Sequence, residues 1–156
     1  MFEAVRDFAE GIPEVVQWLI LIVIGAIPYL EAYGAAFLGV IAGVNPVIAL
    51  AAGVIGNVVS MLLFIKIGHA YHRRKTDPHA PLSARQAKLK RSLDRWGIAV
   101  VSLIGPTILP SQINAGALVG FGADRRKVII WTIAGILLWG VVFLGLGLLV
   151  NRFLVA

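Results

Sequence analysis

Glu31 is the residue best placed for chemistry in this chain, because it is the one charge set between two long charge-free runs, residues 15–30 and 32–65. A carboxylate inside a membrane protein is costly and usually marks a proton or substrate pathway. A desolvated carboxyl group is also able to exchange a proton near neutral pH, or to hold a cationic substrate. The plainer role is to reach an interface or to bond broken backbone beside it. Tyr29 and Tyr33 flank Glu31 and are able to hydrogen-bond it or stack on a cation, although interfacial anchoring also explains tyrosines there.

Amides supply the other candidate groups. Asn57 and Ser60 interrupt an apolar run, and Gln112 and Asn114 follow a proline-rich break. Such side chains coordinate a substrate, stabilise unwound backbone, or simply bond a neighbouring helix. The candidate transport residues are therefore Glu31, Tyr33, Asn57, Gln112 and Asn114, with Gln112 and Asn114 expected where a second hairpin tip would meet Glu31. His69 and His72 have a spacing able to hold a metal, with His79 as a third ligand, but no cysteine or well-placed carboxylate accompanies them. They read as solvated loop histidines, so no metal and no cofactor is expected. No Ser-His-Asp set, phosphate loop or dinucleotide fingerprint occurs. An enzyme is not expected, which leaves only a lipid-modifying activity open.

The elements that position these residues follow from composition. Of 156 residues, 59% are hydrophobic and 14% charged, against about 25% charged in a soluble domain. Such a chain cannot cover a water-facing surface, so the bilayer must solvate much of it. Nine of the 14 Lys and Arg residues lie between Lys66 and Arg95, and Arg125, Arg126 and Lys127 form a second group. By the positive-inside rule residues 66–95 and 125–127 are cytoplasmic, in an inner-membrane multi-pass protein. Nucleic acid is not an expected partner, since no aromatic interleaving or binding motif accompanies the charges. The first ten residues hold Glu3, Asp7 and Glu10 against Arg6, the reverse of a signal peptide, and the N-terminus is expected outside.

Lengths then decide the spans. Residues 128–151 suit one transmembrane helix of about 20 residues. Residues 32–65 would make a helix of about 51 Å, too long for one crossing and too short for two. Asn45-Pro46 divides them, because the residue before proline leaves the helical region; this predicts a half-length helix over 32–44 and a full span over 47–65. Residues 96–123 are flanked by basic groups on both sides and broken by Gly105-Pro106 and Pro110. A segment that enters, breaks and returns fits those flanks. Pro28 and Glu31 mark the equivalent break in the first half, so Pro28, Pro46, Pro106 and Pro110 are the expected helix breaks.

The expected fold is all-α and integral to the membrane: two full transmembrane helices and two re-entrant helical hairpins in an inverted repeat, plus amphipathic surface helices. One membrane domain covers 1–156. It divides into an amphipathic N-terminal helix (1–12), a first repeat (13–67), a basic cytoplasmic loop (68–95) and a second repeat (96–152). Within that loop Leu82, Gln86, Leu89, Leu93 and Trp96 form one helical stripe among basic residues, and Ser83 with Gln86 has capping-box spacing. Residues 82–96 are expected to lie on the anionic inner leaflet. Glycines at 34, 39, 43, 116, 120 and 122 suit close helix packing, and a homodimer is one expected assembly.

The run Pro28-Tyr29-Leu30-Glu31-Ala32-Tyr33-Gly34-Ala35 resembles the signature of the small multidrug export protein family, which is similar in organisation to the DedA (VTT-domain) membrane proteins. Both groups carry an acidic residue at a first re-entrant element and a proline-glycine break in a second. Here the second is Gly105-Pro106-Thr107-Ile108-Leu109-Pro110, then Ala115-Gly116-Ala117, and the likeness spans roughly residues 25–145. It implies transport of a small amphipathic or lipid substrate, by proton-coupled export or by movement of lipid carriers. In one respect the chain departs from the pattern: DedA-type proteins place an arginine in the second re-entrant element, and residues 96–123 here carry no charge. The expected function is a small transporter with Glu31 as its exchange site. The alternatives are a DedA-like lipid flippase or scramblase, and a non-transporting membrane scaffold.

Overall fold

Proline and glycine punctuate the chain into helices of two lengths. The computed structural model describes residues 11–75 and 84–155, together with Asp7 and Ala9. The expected N-terminal helix and the Ser83 cap therefore lie almost wholly outside the described residues. Gln17 donates to the carbonyls of Ala9 at 2.8 Å and Ile12 at 2.9 Å.

Helix α1 (Glu14–Ala26) starts after Pro13, with Glu14 in its first turn, where a carboxylate complements the helix dipole. It stops at Ile27, whose extended backbone (φ −79°, ψ 123°) is what a following proline imposes. Helix α2 (Glu31–Ile41) has 11 residues and ends before Gly43, at φ 84°. At about 1.5 Å per residue, neither α1 nor α2 reaches across a core of about 30 Å. They pack on each other as a helical hairpin.

Helix α3 (Pro46–Lys75) opens with proline at its first position, where the missing N–H costs nothing. Asn45 Oδ1 caps it, accepting from the Val47 N–H at 2.9 Å. The full span was expected to end at Ile65, and the helix instead continues for another ten residues through the first basic group. Lys and Arg are good helix formers and suit a helix C-terminus; their charge ends contact with hydrocarbon, not the helix.

Helix α4 (Ala84–Ile104) is interrupted at Gly97 (φ 71°, ψ 167°), which separates a basic part from an apolar one. In the basic part Lys88, Arg91 and Arg95 are exposed, and the Arg95 guanidinium sits 5.0 Å over the Trp96 ring. A 3-10 turn (Gly105–Thr107) follows, then Pro110 and helix α5 (Ser111–Gly120). Helix α6 (Arg125–Val150) is capped by Asp124 Oδ1, which accepts from the Lys127 N–H at 2.7 Å, and runs into a π-helical turn (Asn151–Val155). Among the described residues there is no strand.

The stretches Pro46–Tyr71 and Arg125–Phe153 are long and apolar enough to cross a membrane. The apolar window is 44% buried in α3 and 22% buried in α6. Val47, Ile55, Leu63 and Val141 face outward, while Glu31, Asn57, Gln112 and Thr132 are buried. Apolar residues outside and polar groups inside are consistent with an all-α membrane protein.

The chain divides into two packing units, Met1–Val59 with Ile136–Ala156, and Ser60–Gly135. Their borders fall inside α3 and α6, so these units are not the consecutive halves read from the sequence. In the first unit Leu21, Ala35, Ala49 and Ala52 form a buried core. A side chain at Gly53 would meet the Ala35 Cβ at 2.7 Å and the Ala32 carbonyl at 3.0 Å. In the second, a Cβ at Gly116 would lie 2.8 Å from the Phe64 carbonyl oxygen. Glycine lets helix backbones approach where a lipid-solvated protein gains little from the hydrophobic effect.

Candidate functional site

The turn between α1 and α2 is built from unfavourable backbone. Tyr29 (φ 75°) and Glu31 (φ 51°) both occupy the left-handed region, which costs an L-residue about 1–2 kcal/mol. Strain of this kind persists where surrounding contacts hold it, often at functional sites. Here the Leu30 and Glu31 N–H groups both donate to the Ile27 carbonyl, at 3.2 and 3.0 Å. From one turn into α2, the Tyr33 hydroxyl donates to the Tyr29 carbonyl at 2.7 Å. The Tyr33 ring in turn packs on Phe143 of α6, with centroids 4.9 Å apart and planes tilted by 46°.

That turn sends Tyr29 outward, 67% exposed, and Glu31 inward, 2% exposed. Asn57 of α3, fully buried, donates its Nδ2 to Glu31 Oε2 at 3.4 Å, a long bond by ordinary geometry. The close approach at Gly53 explains the pairing. It seats α3 against the backbone of Ala32, and Asn57 follows one turn later on the same face. Gly56 does the same towards α1, since a Cβ there would clash with the Ile22 carbonyl and sit 3.0 Å from the Ala26 nitrogen. Small residues on three helices thus enclose a carboxyl group and an amide. This arrangement is able to exchange a proton or bind a cation.

Gln112 and Asn114 belong to the second unit. Asn114 donates to the Val101 carbonyl at 3.1 Å, four residues before Gly105, where α4 gives way to the 3-10 turn. It is a repair of broken backbone, one of the roles read from sequence. Gln112 is fully buried, and neither of its amide atoms finds a partner within the protein. Of the expected breaks, Pro28, Pro106 and Pro110 sit between helices, and Pro46 begins one.

Sequence reasoning did not single out Ser102, Thr132 or Phe143. Ser102 and Thr132 are buried with unpartnered hydroxyls, yet in sequence they are single hydroxyls in apolar helices, which usually bond their own backbone. A cleft of about 340 Å³, also in the first unit, is lined by Val40, Gly43, Asn45, Leu148 and Asn151 among others, and not by Glu31. Among the described residues no group of three His, Asp or Glu side chains is arranged to hold a metal ion. No protein-family model, no curated protein and no solved structure matches this chain.

Proposed function

We propose that this protein is a small integral membrane transporter in which Glu31 exchanges a proton or a cationic, amphipathic substrate. The observation that carries the reading is the nearly complete burial of Glu31 in a strained turn, beside the Asn57 amide. A buried carboxyl group is costly to keep for packing alone. Tyr33, which holds that turn, belongs to the same site.

In this reading α3 and α6 cross the bilayer, while α1–α2 and α4–α5 are re-entrant hairpins related by an inverted repeat. The hairpin helices are too short to span, and broken backbone at membrane depth is tolerated where protein or a wet cavity surrounds it. The basic groups place residues 66–95 and 125–127 in the cytoplasm and the N-terminus outside, with the basic part of α4 on the anionic inner leaflet. The likeness of residues 28–35 to the small multidrug export signature supports the same assignment.

A second reading, a DedA-like lipid scramblase or flippase, needs no proton. Residues 96–123 lack any charge, so this half offers no basic partner to a paired acid–base proton mechanism, and none to an anionic lipid phosphate. Liposomes containing wild type or Glu31→Gln separate the two. Proton flux driven by cationic amphiphiles and lost in the variant supports exchange at Glu31. Lipid movement that survives the substitution, with no proton flux, assigns the scramblase, and no movement of either kind leaves a scaffold.

A further inference from the structure

The second packing unit holds polar groups that a site at Glu31 does not employ. Ser102 and Gln112 are fully buried and Thr132 is 1% exposed. The Ser102 and Thr132 hydroxyls and both amide atoms of Gln112 find no hydrogen-bond partner within the protein. A helical Ser or Thr has an easy remedy, a bond to the carbonyl one turn back, and neither hydroxyl takes it. Buried polar atoms are otherwise almost always paired, and an orphan usually signals bound water or a ligand.

Ser102 lies where α4 meets α6. A Cβ at Gly135 would lie 3.1 Å from the Ser102 carbonyl and 3.5 Å from the Leu103 Cα, so α4 and α6 touch there. Thr132 precedes Gly135 by one turn on the same helix face. Asn114 fastens the start of α5 to α4 at Val101, the neighbour of Ser102, and Gln112, two residues earlier, lies on another face of α5. The break at Gly105–Pro110 adds irregular backbone, which within a membrane needs a wet lining or protein around it.

We propose that Ser102, Gln112 and Thr132 hold ordered water inside the second unit, a neutral hydration of its interior. Two hydroxyls and an amide supply donors and acceptors without charge, the mixture that satisfies a buried water making two to four bonds. An ion would find no counter-charge among them. The assignment does not depend on what Glu31 exchanges.

Two measurements on the full chain in detergent or liposomes test it. Thr132→Val is nearly isosteric and removes one hydroxyl. A hydroxyl bonded to water is missed, and Tm falls by about 2–4 °C; an orphan in a dry interior is better removed, and Tm holds or rises. The chain has no cysteine, so Ser102→Cys provides a single reporter for a small water-soluble methanethiosulfonate. The expected rate is at least ~10-fold above that of Ala49→Cys, which is equally buried and lies in the apolar core of the first unit. Labelling no faster than at Ala49, or a Tm that does not fall in Thr132→Val, overturns the hydrated site.

Discussion

Asn57 and Glu31 stand 26 positions apart in sequence, and the Asn57 amide donates to the Glu31 carboxyl group at 3.4 Å with both side chains buried. Neither residue's neighbours in sequence explain the pairing; the glycine at 53 does, by letting α3 lie on the backbone of α2. An amide can donate to the carboxylate or accept from the acid, so the pair tolerates both protonation states.

Removing the amide tests that relationship. Asn57→Leu leaves Glu31 with one donor fewer, at a cost of about 1–2 kcal/mol. The same change in a Glu31→Gln background should cost less, because no charge is then left behind. Thermal unfolding of wild type, both single variants and the double variant gives the coupling directly. Equal losses in the two backgrounds would show that the amide does not act through Glu31.

The strained turn makes an opposite prediction, a stabilising substitution. Tyr29→Gly relieves a left-handed residue by about 1–2 kcal/mol and adds backbone entropy to the unfolded chain worth about 0.5–1 kcal/mol. The net gain is up to about 1 kcal/mol, because the exposed Tyr29 ring contributes little packing. Tyr33→Phe, by contrast, deletes the bond that holds the turn and should lower stability by about 0.5–1.5 kcal/mol. If the strain serves transport, Tyr29→Gly is also the slower transporter. A Tyr29→Gly protein that unfolds earlier than wild type would contradict the strain argument.

Much of this arrangement is legible before any coordinates. Pro28, Asn45-Pro46 and the Gly105–Pro110 run announce helix ends because proline constrains its own φ and its predecessor's ψ. Glu31 announces itself by its cost in an apolar segment. Other features have no local signature. The ten extra residues of α3 include Lys66, Arg73, Arg74 and Lys75 and are helical in structure, since charge reports on solvent and not on backbone. The positive φ at Gly97 is one of several conformations open to any glycine. The division of α3 and α6 between two packing units depends on which helices meet, which periodicity does not encode. Ser102 and Thr132 looked ordinary, because whether a helical hydroxyl bonds its own backbone depends on a rotamer.

Gly97 and Gly56 should fail for different reasons. A Cβ at Gly97 meets nothing within 4 Å, and the obstacle is its φ of 71°. Gly97→Ala is therefore expected to cost about 1–3 kcal/mol, since its φ and ψ fall in a region almost confined to glycine, while leaving a folded protein with the angle between the two parts of α4 altered. At Gly56 the obstacle is the Ile22 carbonyl, a backbone atom that cannot swing aside. Gly56→Ala should cost at least the ~3 kcal/mol typical of severe overpacking and abolish folded expression. Fluorescence-detected size exclusion of both variants separates them, and a well-folded Gly56→Ala would show that α1 and α3 are not in backbone contact.

Asn114 offers a substitution whose sign depends on a single hydrogen bond. Its Nδ2 serves the Val101 carbonyl, and a Cβ at Gly105 would lie 2.5 Å from that same nitrogen. Asn114→Ala leaves the carbonyl without this donor, at about 1–3 kcal/mol for a buried group. Asn114→Asp is nearly identical in shape but turns an acceptor towards an acceptor and adds charge to an uncharged segment, so it should destabilise more than alanine. Asn114→Gln keeps the donor and lengthens the arm towards the α4 break, which should lose less than either. The order Gln, Ala, Asp in falling Tm is the expected outcome. An aspartate as stable as the alanine would mean that Asn114 faces water instead of Val101. The neighbouring Gln112→Leu gives a contrast at equal burial, because no protein atom depends on that amide, so any loss there reports on what it binds.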